Sequence, residues 1–487
     1  MSRFSKQILF LHRMSVIGFV DLLLASSVLS QTVPASPAHP WHGSAELNMQ
    51  AYAKNVTDLR FTLDQSKTYS LAELIDLAQA HNPATRAAWE RARSQAAALG
   101  ISRSELYPTL AAAALSQTES VQAFFGDRFH GQTIQNFQLA LDLNYTVFDF
   151  GARSGRIDAA RARLLSANFA FNDTHRSVID QVEQAYYRLL NSIGQEDSAQ
   201  ASLANAKAVE QAARERLTNG LATLPDVLEA RSATAQAEYD LQSALGAEEI
   251  ARGDLATAVG TSASVAIRVQ PLDQLPTPDS ISETVEETIN QAFAQRPDLM
   301  QQAAEVRTAD ARLKEARAAY YPTLGVNVIP AIPSLYGVQQ PFHWSHTADL
   351  TGSASFNLNW TVFDGGARKG RVAQAQADIH AAEAQTKLKK NQIADEVWTA
   401  YSNLHTAFRQ HRAAVALLEA ANQSYSAALE SYKYGLRNLL DVTAAQRSLA
   451  QARSADIFAR TQVLTALADL AFTTGDSIKA HQGSSRP

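Results

Sequence analysis

From Asn136 to Val147 the chain alternates in polarity. Phe137, Leu139, Leu141, Leu143, Tyr145 and Val147 fall on one face; Asn136, Gln138, Asp142, Asn144 and Thr146 fall on the other. A period of two over this length predicts a strand with one apolar and one polar face. The pattern returns with Phe356, Leu358, Trp360 and Val362 against Ser355, Asn357, Asn359 and Thr361. After each run the period changes. Ile157, Leu164, Phe171 and Val178 recur every seven residues, and Val372, Ile379 and Ile393 hold the same register, with Thr386 as its polar member. This is a heptad seam, which predicts helices packed nearly parallel. Residues 151–217 and 366–434 contain no proline and are rich in Ala, Gln, Arg and Glu. Each such stretch, about 65 residues at ~1.5 Å apiece, predicts a helix roughly 100 Å long. Glycine interrupts both, in TNGLATLP and KYGLRNLL, and a second helix of about 35 residues returns.

The two runs belong to one duplication. LNYTVFDFGARSGR (143–156) and LNWTVFDGGARKGR (358–371) share 11 of 14 positions at an offset of 215. Asn82-Pro83 matches Arg296-Pro297, and the YPTL motif at Pro108 matches that at Pro322, both at 214. Gly220 matches Gly435, Asp226 matches Asp441, and Gly260 matches Gly475, all at 215. Self-similarity along the whole chain is a tandem duplication. The expected organisation is an export signal at 1–30, an extended segment at 31–66, repeat 1 at 67–269, a linker at 270–280, repeat 2 at 281–475 and a tail at 476–487. Repeat 1 is read as a helix (Leu71 to Arg103), a strand pair at about 107–148, a long helix at 152–217, a tip at 218–224 and a return helix at 225–259. Repeat 2 is read as a helix (Thr284 to Ala318), a strand pair at about 321–363, a long helix at 367–433, a tip at 434–440 and a return helix at 441–473.

Composition narrows the class. Mean hydropathy is −0.19, and no run of about 18 apolar residues, the length a membrane helix needs, occurs beyond the first thirty positions. The net charge of −5 is spread over interspersed Lys, Arg, Asp and Glu, without the basic footprint of a nucleic-acid binder. There are no cysteines, so disulfides, thiolate metal sites and cysteine nucleophiles are excluded together. The start is basic (Arg3, Lys6), Val16 to Leu29 is mostly apolar, and Ser30 offers a small residue before Gln31. That reads as an export signal; an interfacial or buried helix is the alternative, because Asp21 and His12-Arg13 interrupt it.

Four strands per chain cannot close a membrane barrel, which starts at about eight, and open edges cannot face hydrocarbon. Either the strands form a soluble sheet, or several chains pool them. Three chains would give twelve. Tyr145 and Trp360 sit at matching strand ends, where an interfacial aromatic girdle would lie. The repeated VFD-x-GAR-x-GR then marks the corner at which a strand becomes a helix. Asp149 and Asp364 cap the helix start, Gly151 and Gly366 allow the change of backbone direction, and Arg153 and Arg368 complete the corner.

With the duplicated hairpin-plus-helix unit, these corners, YPTL before the first strand and the two glycine tips, the chain resembles the TolC-like outer-membrane efflux proteins over about residues 67–475. The resemblance implies a mainly α fold with membrane β structure: a homotrimer whose twelve-stranded barrel, four strands per chain, lies in the outer-membrane lipid and continues into a long periplasmic α-helical barrel. It implies the exit duct of a tripartite efflux or type I secretion system, partnered by a periplasmic adaptor and an inner-membrane transporter of RND, ABC or MFS type. No catalytic residue and no cofactor is implied. By position relative to the tip glycines it assigns a periplasmic gate to Asp226, Tyr432, Arg437 and Asp441, and adaptor docking to Gly220, Leu221, Thr223, Gly435 and Leu436. Pro225 stands where the family often has threonine, and Ala444 where a second carboxylate would sit. Asp226 and Asp441 are equally readable as ordinary helix N-terminal capping residues. The absence of cysteine places the chain in the non-lipidated branch.

Two other classes fit less well. There is no HExxH, phosphate loop or GxSxG of an enzyme. His343 and His346 have metal-ligand spacing for a helix but fall between two strands. A soluble periplasmic coiled-coil adaptor or scaffold would explain the heptads, not the amphipathic strands.

Overall fold

The structure, a computed structural model, describes residues 63–476 apart from 65, 126, 277, 279, 281–283 and 340–344, together with 49, 52 and 53. The export signal, most of the segment at 31–66, the tail beyond 476 and His343 therefore lie outside the described residues. Residues 1–59 form a unit of their own, in which positions 49, 52 and 53 are helical.

In the second unit, β1 (Thr68–Tyr69) leads into α1 (Leu71–His81) and α2 (Pro83–Ser104). The single helix read from 71 to 103 is thus two. Asn82 is extended at φ −66°, ψ 129°, and Pro83 opens α2, as its fixed φ and missing N–H favour. Strands β2 (Thr109–Phe125) and β3 (Arg128–Phe148) follow, then α3 (Ala152–Thr218) and α4 (Leu224–Val259). After β4 (Arg268–Val269), repeat 2 runs α5 (Val285–Gln295), α6 (Pro297–Ala318), β5 (Thr323–Gln339), β6 (Ser345–Ala348), β7 (Thr351–Asn359), α7 (Ala367–Lys433) and α8 (Leu439–Thr474). Its first helix breaks in the same way, at extended Arg296 before Pro297. In the linker, β4 pairs in parallel with β1.

β2, β3, β5 and β7 lie side by side, antiparallel throughout, with β6 continuing the lane of β7 along β5. Leu139 sits opposite Ala114 and Ile332, and Leu143 opposite Leu110 and Val328; Phe356 sits opposite Val326. One sheet face is therefore an apolar band. It is exposed in the single chain: Leu139 is 65% accessible, Leu358 68% and Phe356 80%. The opposite face is polar, with Asn327 donating to Asp142 at 2.7 Å and to Asn144 at 2.8 Å. β2 and β7 are both edges. Among the described residues no helix is long and apolar enough to cross a membrane.

The cores run along the helices. Leu74, Ile75, Ile179, Tyr186, Leu189 and Leu255 are almost fully buried where α1, α3 and α4 meet. Of the heptad positions, Ile157, Val178 and Ile393 are buried, whereas Leu164, Phe171, Val372 and Ile379 are half-buried. A buried charge cluster joins the repeats. Asp298 at the start of α6 meets Arg296 at 2.7 Å, Lys389 of α7 at 2.8 Å and Arg176 of α3 at 3.7 Å. Both arginines also donate to the last carbonyls of α8, Arg176 to Phe472 and Arg296 to Thr473. Burial opposes the Asp298 charge, yet hydrogen bonds from Arg296 and Lys389 hold its carboxyl well below the ordinary carboxylate range.

Candidate functional site

Two kinds of place carry the sequence-predicted residues: the corners between strand and long helix, and the tips between long helix and return helix.

At the first corner, Asp149 Oδ2 accepts from the Arg153 backbone N–H at 2.8 Å and from its Nε at 3.0 Å, while Oδ1 accepts from the Gly151 N–H at 3.2 Å. Arg153 also donates to the Val147 and Glu105 carbonyls. The second corner repeats this. Asp364 accepts from Arg368 N and Nε, both at 2.9 Å, and from Gly366 N–H at 3.2 Å, and Arg368 donates to the Val362 carbonyl. Gly151 and Gly366 have φ of 99° and 92°, a left-handed conformation open to glycine at no steric cost. The preceding residue is left-handed too: Gly365 in repeat 2, but Phe150, at φ 49°, in repeat 1. The Phe150 ring stacks on Tyr321 at 4.9 Å, a contact that offsets the backbone strain. The motif is a hydrogen-bonded bracket that turns a strand into a helix.

The tips are built by two left-handed glycines, Gly220 (φ 70°) and Gly435 (φ 76°). Each ends its long helix with a closing bond from the following residue: Leu221 N–H to Arg216 O at 2.7 Å and Leu436 N–H to Ser431 O at 2.8 Å. That geometry pushes the following leucines into solvent, Leu221 at 66% and Leu436 at 79%. Beyond the glycines the tips differ. Thr223 caps α4, and the Asp226 carboxylate reaches back to the Thr223 N–H at 2.8 Å and its hydroxyl at 2.7 Å. These bonds lower the Asp226 pKa. Pro225 sits inside this first turn, where no intrahelical donor is needed. At the second tip the cap is Asn438, whose Oδ1 accepts from Asp441 N–H at 2.9 Å. The Asp441 carboxylate accepts no hydrogen bond among the described residues. One aspartate is thus committed to its own helix and the other is not.

Tyr432 is 3% exposed, in a core with Val209, Leu439 and Val442. Its hydroxyl has no hydrogen-bond partner among the described residues, and burial raises its pKa. Arg437 is exposed and lies in no ion pair among the described residues. The structure brings Tyr432 not to Arg437 but to Arg216 in the last turn of α3. The Arg216 guanidinium donates to the Tyr432 carbonyl at 2.6 Å, lies 4.7 Å from the ring centre and also donates to the Leu221 carbonyl at 3.3 Å. Arg216 is the tip residue that sequence reasoning missed. Its signal, a basic residue in the last helical turn, is too common to single it out, and its repeat counterpart is Ser431.

His346 lies in β6, stacked on Tyr336 at 4.3 Å. Among the described residues no group of three or more His, Cys, Asp or Glu could hold a metal ion.

An open four-strand sheet with one apolar and one polar face, bracketed onto paired long helices ending in hairpin tips, defines a duct-forming membrane protein. The profile of the outer membrane efflux protein family matches residues 74–261 and 288–476, one match per repeat. The chain belongs to this family, has its TolC-like fold, and is an outer-membrane efflux channel with a periplasmic helical extension. It is the channel component of a tripartite efflux or type I secretion system, not an enzyme. Among curated relatives it is 28% identical to protein CyaE of Bordetella pertussis over 84% of each chain. It is 25% identical to the outer membrane protein OprJ of Pseudomonas aeruginosa over 92% of this chain and 94% of that one. Among solved structures, a membrane protein from Pseudomonas aeruginosa superposes with a TM-score of 0.74 at 24% identity, covering 90% of this chain and all of that one. The Neisseria gonorrhoeae MtrE channel, solved in its open state, superposes with a TM-score of 0.70 at 21% identity over 83% and 88%.

Proposed function

We propose that three copies of this chain close a twelve-stranded barrel and that the assembly conducts substrate passively across the envelope. Energy comes from an inner-membrane pump of RND, ABC or MFS type, joined through a periplasmic adaptor. The observation that carries this reading is the sheet: two unpaired edges, β2 and β7, flank an exposed apolar band, which lipid tolerates only once the edges are paired. The cargo is small molecules or peptides. None of the 487 residues is a cysteine, so we place the chain in the non-lipidated branch.

At the far end the tips form the gate. Tyr432, Arg437, Asp226 and Asp441 hold it, and the exposed Leu221 and Leu436 beside Gly220, Gly435 and Thr223 meet the adaptor. In the assembled ring three uncommitted Asp441 carboxylates favour cations. Purified protein in a planar bilayer tests this: the double variant Tyr432→Phe, Arg437→Ser should conduct more than wild type. Unchanged conductance would remove these residues from the gate, and the absence of any channel would remove the duct.

A further inference from the structure

The sheet carries a charge that neither the corners nor the tips explain. β5, β6 and β7 contain no Asp, Glu, Lys or Arg, and β2 and β3 together contain three such residues, Glu119, Arg128 and Asp142. Glu119 stands opposite Ile134 and Arg128 opposite Phe125, both toward the β2–β3 hairpin. Asp142 stands opposite Ala111, at the middle of the alternating run 137–147 whose other face is the apolar band. Asp349, just beyond β6, is the next acid by register. It follows Ala348, which is level with Phe137 through Ser334, and accepts from the Thr347 hydroxyl at 2.8 Å. No strand has a lysine or arginine at the depth of this run.

The surroundings of Asp142 fix its carboxylate and leave half of it unused. Asn327 Nδ2 donates to Asp142 Oδ1 at 2.7 Å and to Asn144 Oδ1 at 2.8 Å, and Asn144 Nδ2 donates to the same Asp142 oxygen at 2.8 Å. Among the described residues Oδ2 accepts no hydrogen bond, and Asp142 forms no ion pair. The amide donors are thus spent inside the triad, and the atoms left to meet a solute are mostly oxygens. An acceptor array of this kind suits cations. In repeat 2 the matching position is Asn357, which donates to Ser355 at 3.3 Å. A neutral side chain therefore serves the same strand, and the charge of Asp142 is not needed to build it.

We infer that Asp142 forms, once per copy, a negative collar inside the barrel halfway across the membrane, where it binds cations and favours cationic over anionic permeants. This rests on the twelve-stranded ring proposed above and adds a second filter, separated from Asp441 by the roughly 100 Å of α7. Twelve strands about 4.8 Å apart and tilted about 40° enclose a wall about 24 Å across, so every point of the lumen lies within about 12 Å of it. The Debye length is about 30 Å in 0.01 M salt and about 3 Å in 1 M. In dilute salt the collar acts on every passing ion; in concentrated salt it acts only on cations that touch the wall.

The lack of native cysteine gives a direct probe of the local potential in full-length protein in membranes. Ala140→Cys places one thiol on the same strand face, two residues from Asp142. Its reaction rates with a positively and a negatively charged methanethiosulfonate are compared with and without Asp142→Asn. A unit charge about 8 Å away in water changes the ratio of the two rates about fivefold, so Asp142→Asn should lower the ratio by that factor in about 0.01 M salt. The difference should vanish near about 1 M. A ratio indifferent to residue 142 overturns the collar and leaves the duct, whereas a thiol that neither reagent reaches overturns the duct as well. Planar bilayers give an independent reading. The Asp441→Asn channel should keep a preference for K+ over Cl− in dilute salt, and adding Asp142→Asn should cut that preference about twofold or more. Equal preference in both channels refutes the second filter.

Discussion

The Arg216 guanidinium donates to the Tyr432 main-chain carbonyl at 2.6 Å and lies 4.7 Å from the centre of the same residue's ring. The contact spans 216 residues and ties the end of one long helix to the end of the other. It also places a buried aromatic ring between the charge and the hairpin core. Whatever moves one tip is therefore felt by its companion.

Arg216→Ala should loosen the second tip more than the first. It removes charge-assisted bonds worth about 1.5–3 kcal/mol, so amide hydrogen exchange at residues 434–436 should speed by about tenfold or more. Arg216→Lys should recover only part of the protection, since a point charge cannot reproduce the planar fork. Equal exchange in wild type and Arg216→Ala would show that the contact does not secure the tip.

The two tip aspartates should separate in function. Asp441→Asn should move the reversal potential of the bilayer channel toward non-selectivity, because that carboxylate is uncommitted. Asp226→Asn should leave selectivity close to wild type and instead weaken the start of α4 by about 1 kcal/mol, the usual scale of a helix cap. The reverse pattern would reassign the two residues.

Glu183 should make stability fall as pH rises. Burial first, and then the neighbouring Asp180 and Asp469, push its pKa from an ordinary 4.5 to about 8. The folded protein therefore holds a proton through that window which the unfolded chain has released, and stability declines between those two values. Each pK unit corresponds to about 1.4 kcal/mol. Glu183→Gln should flatten the pH dependence of the melting midpoint between pH 5 and 8 and raise the midpoint at pH 8. A wild-type midpoint that climbs with pH in this range would contradict the assignment.

Asp298→Asn should be severe. It leaves Arg176, Arg296 and Lys389 gathered around a neutral side chain, and breaking a buried ion cluster costs about 3–5 kcal/mol. Thermal melting in detergent would show a large drop, whereas a shift of only a degree or two would mean that water enters the cluster freely.

The duplication and the two periods were legible in the sequence because each repeats a local pattern: alternation in Phe137 to Val147, sevenfold spacing in Ile157 to Val178, the corner residues Asp149, Gly151 and Arg153. What was hidden depends on distant partners. Arg216 acts on carbonyls of a helix over 200 residues away, and main-chain acceptors leave no trace in side-chain identity. Asp226 and Asp441 are matched in sequence, yet only Asp226 turns back to its cap, because Thr223 and Asn438 use different atoms. The break at Asn82 was signalled by Pro83 alone, while helical composition on both sides concealed it. The half-burial of Leu164 and Phe171 also lay beyond heptad reasoning, which gives the stripe but not how much of it one chain can cover.

The length of α3 and α7, 67 residues each, makes them levers of about 100 Å. With the corner bracket as fulcrum, a tilt of about five degrees there would carry the far end through roughly 9 Å. Under the gating proposed above, dilation of the far aperture would amplify small angular adjustments, with mechanical advantage set by how many residues separate Asp149 from Gly220 and Asp364 from Gly435.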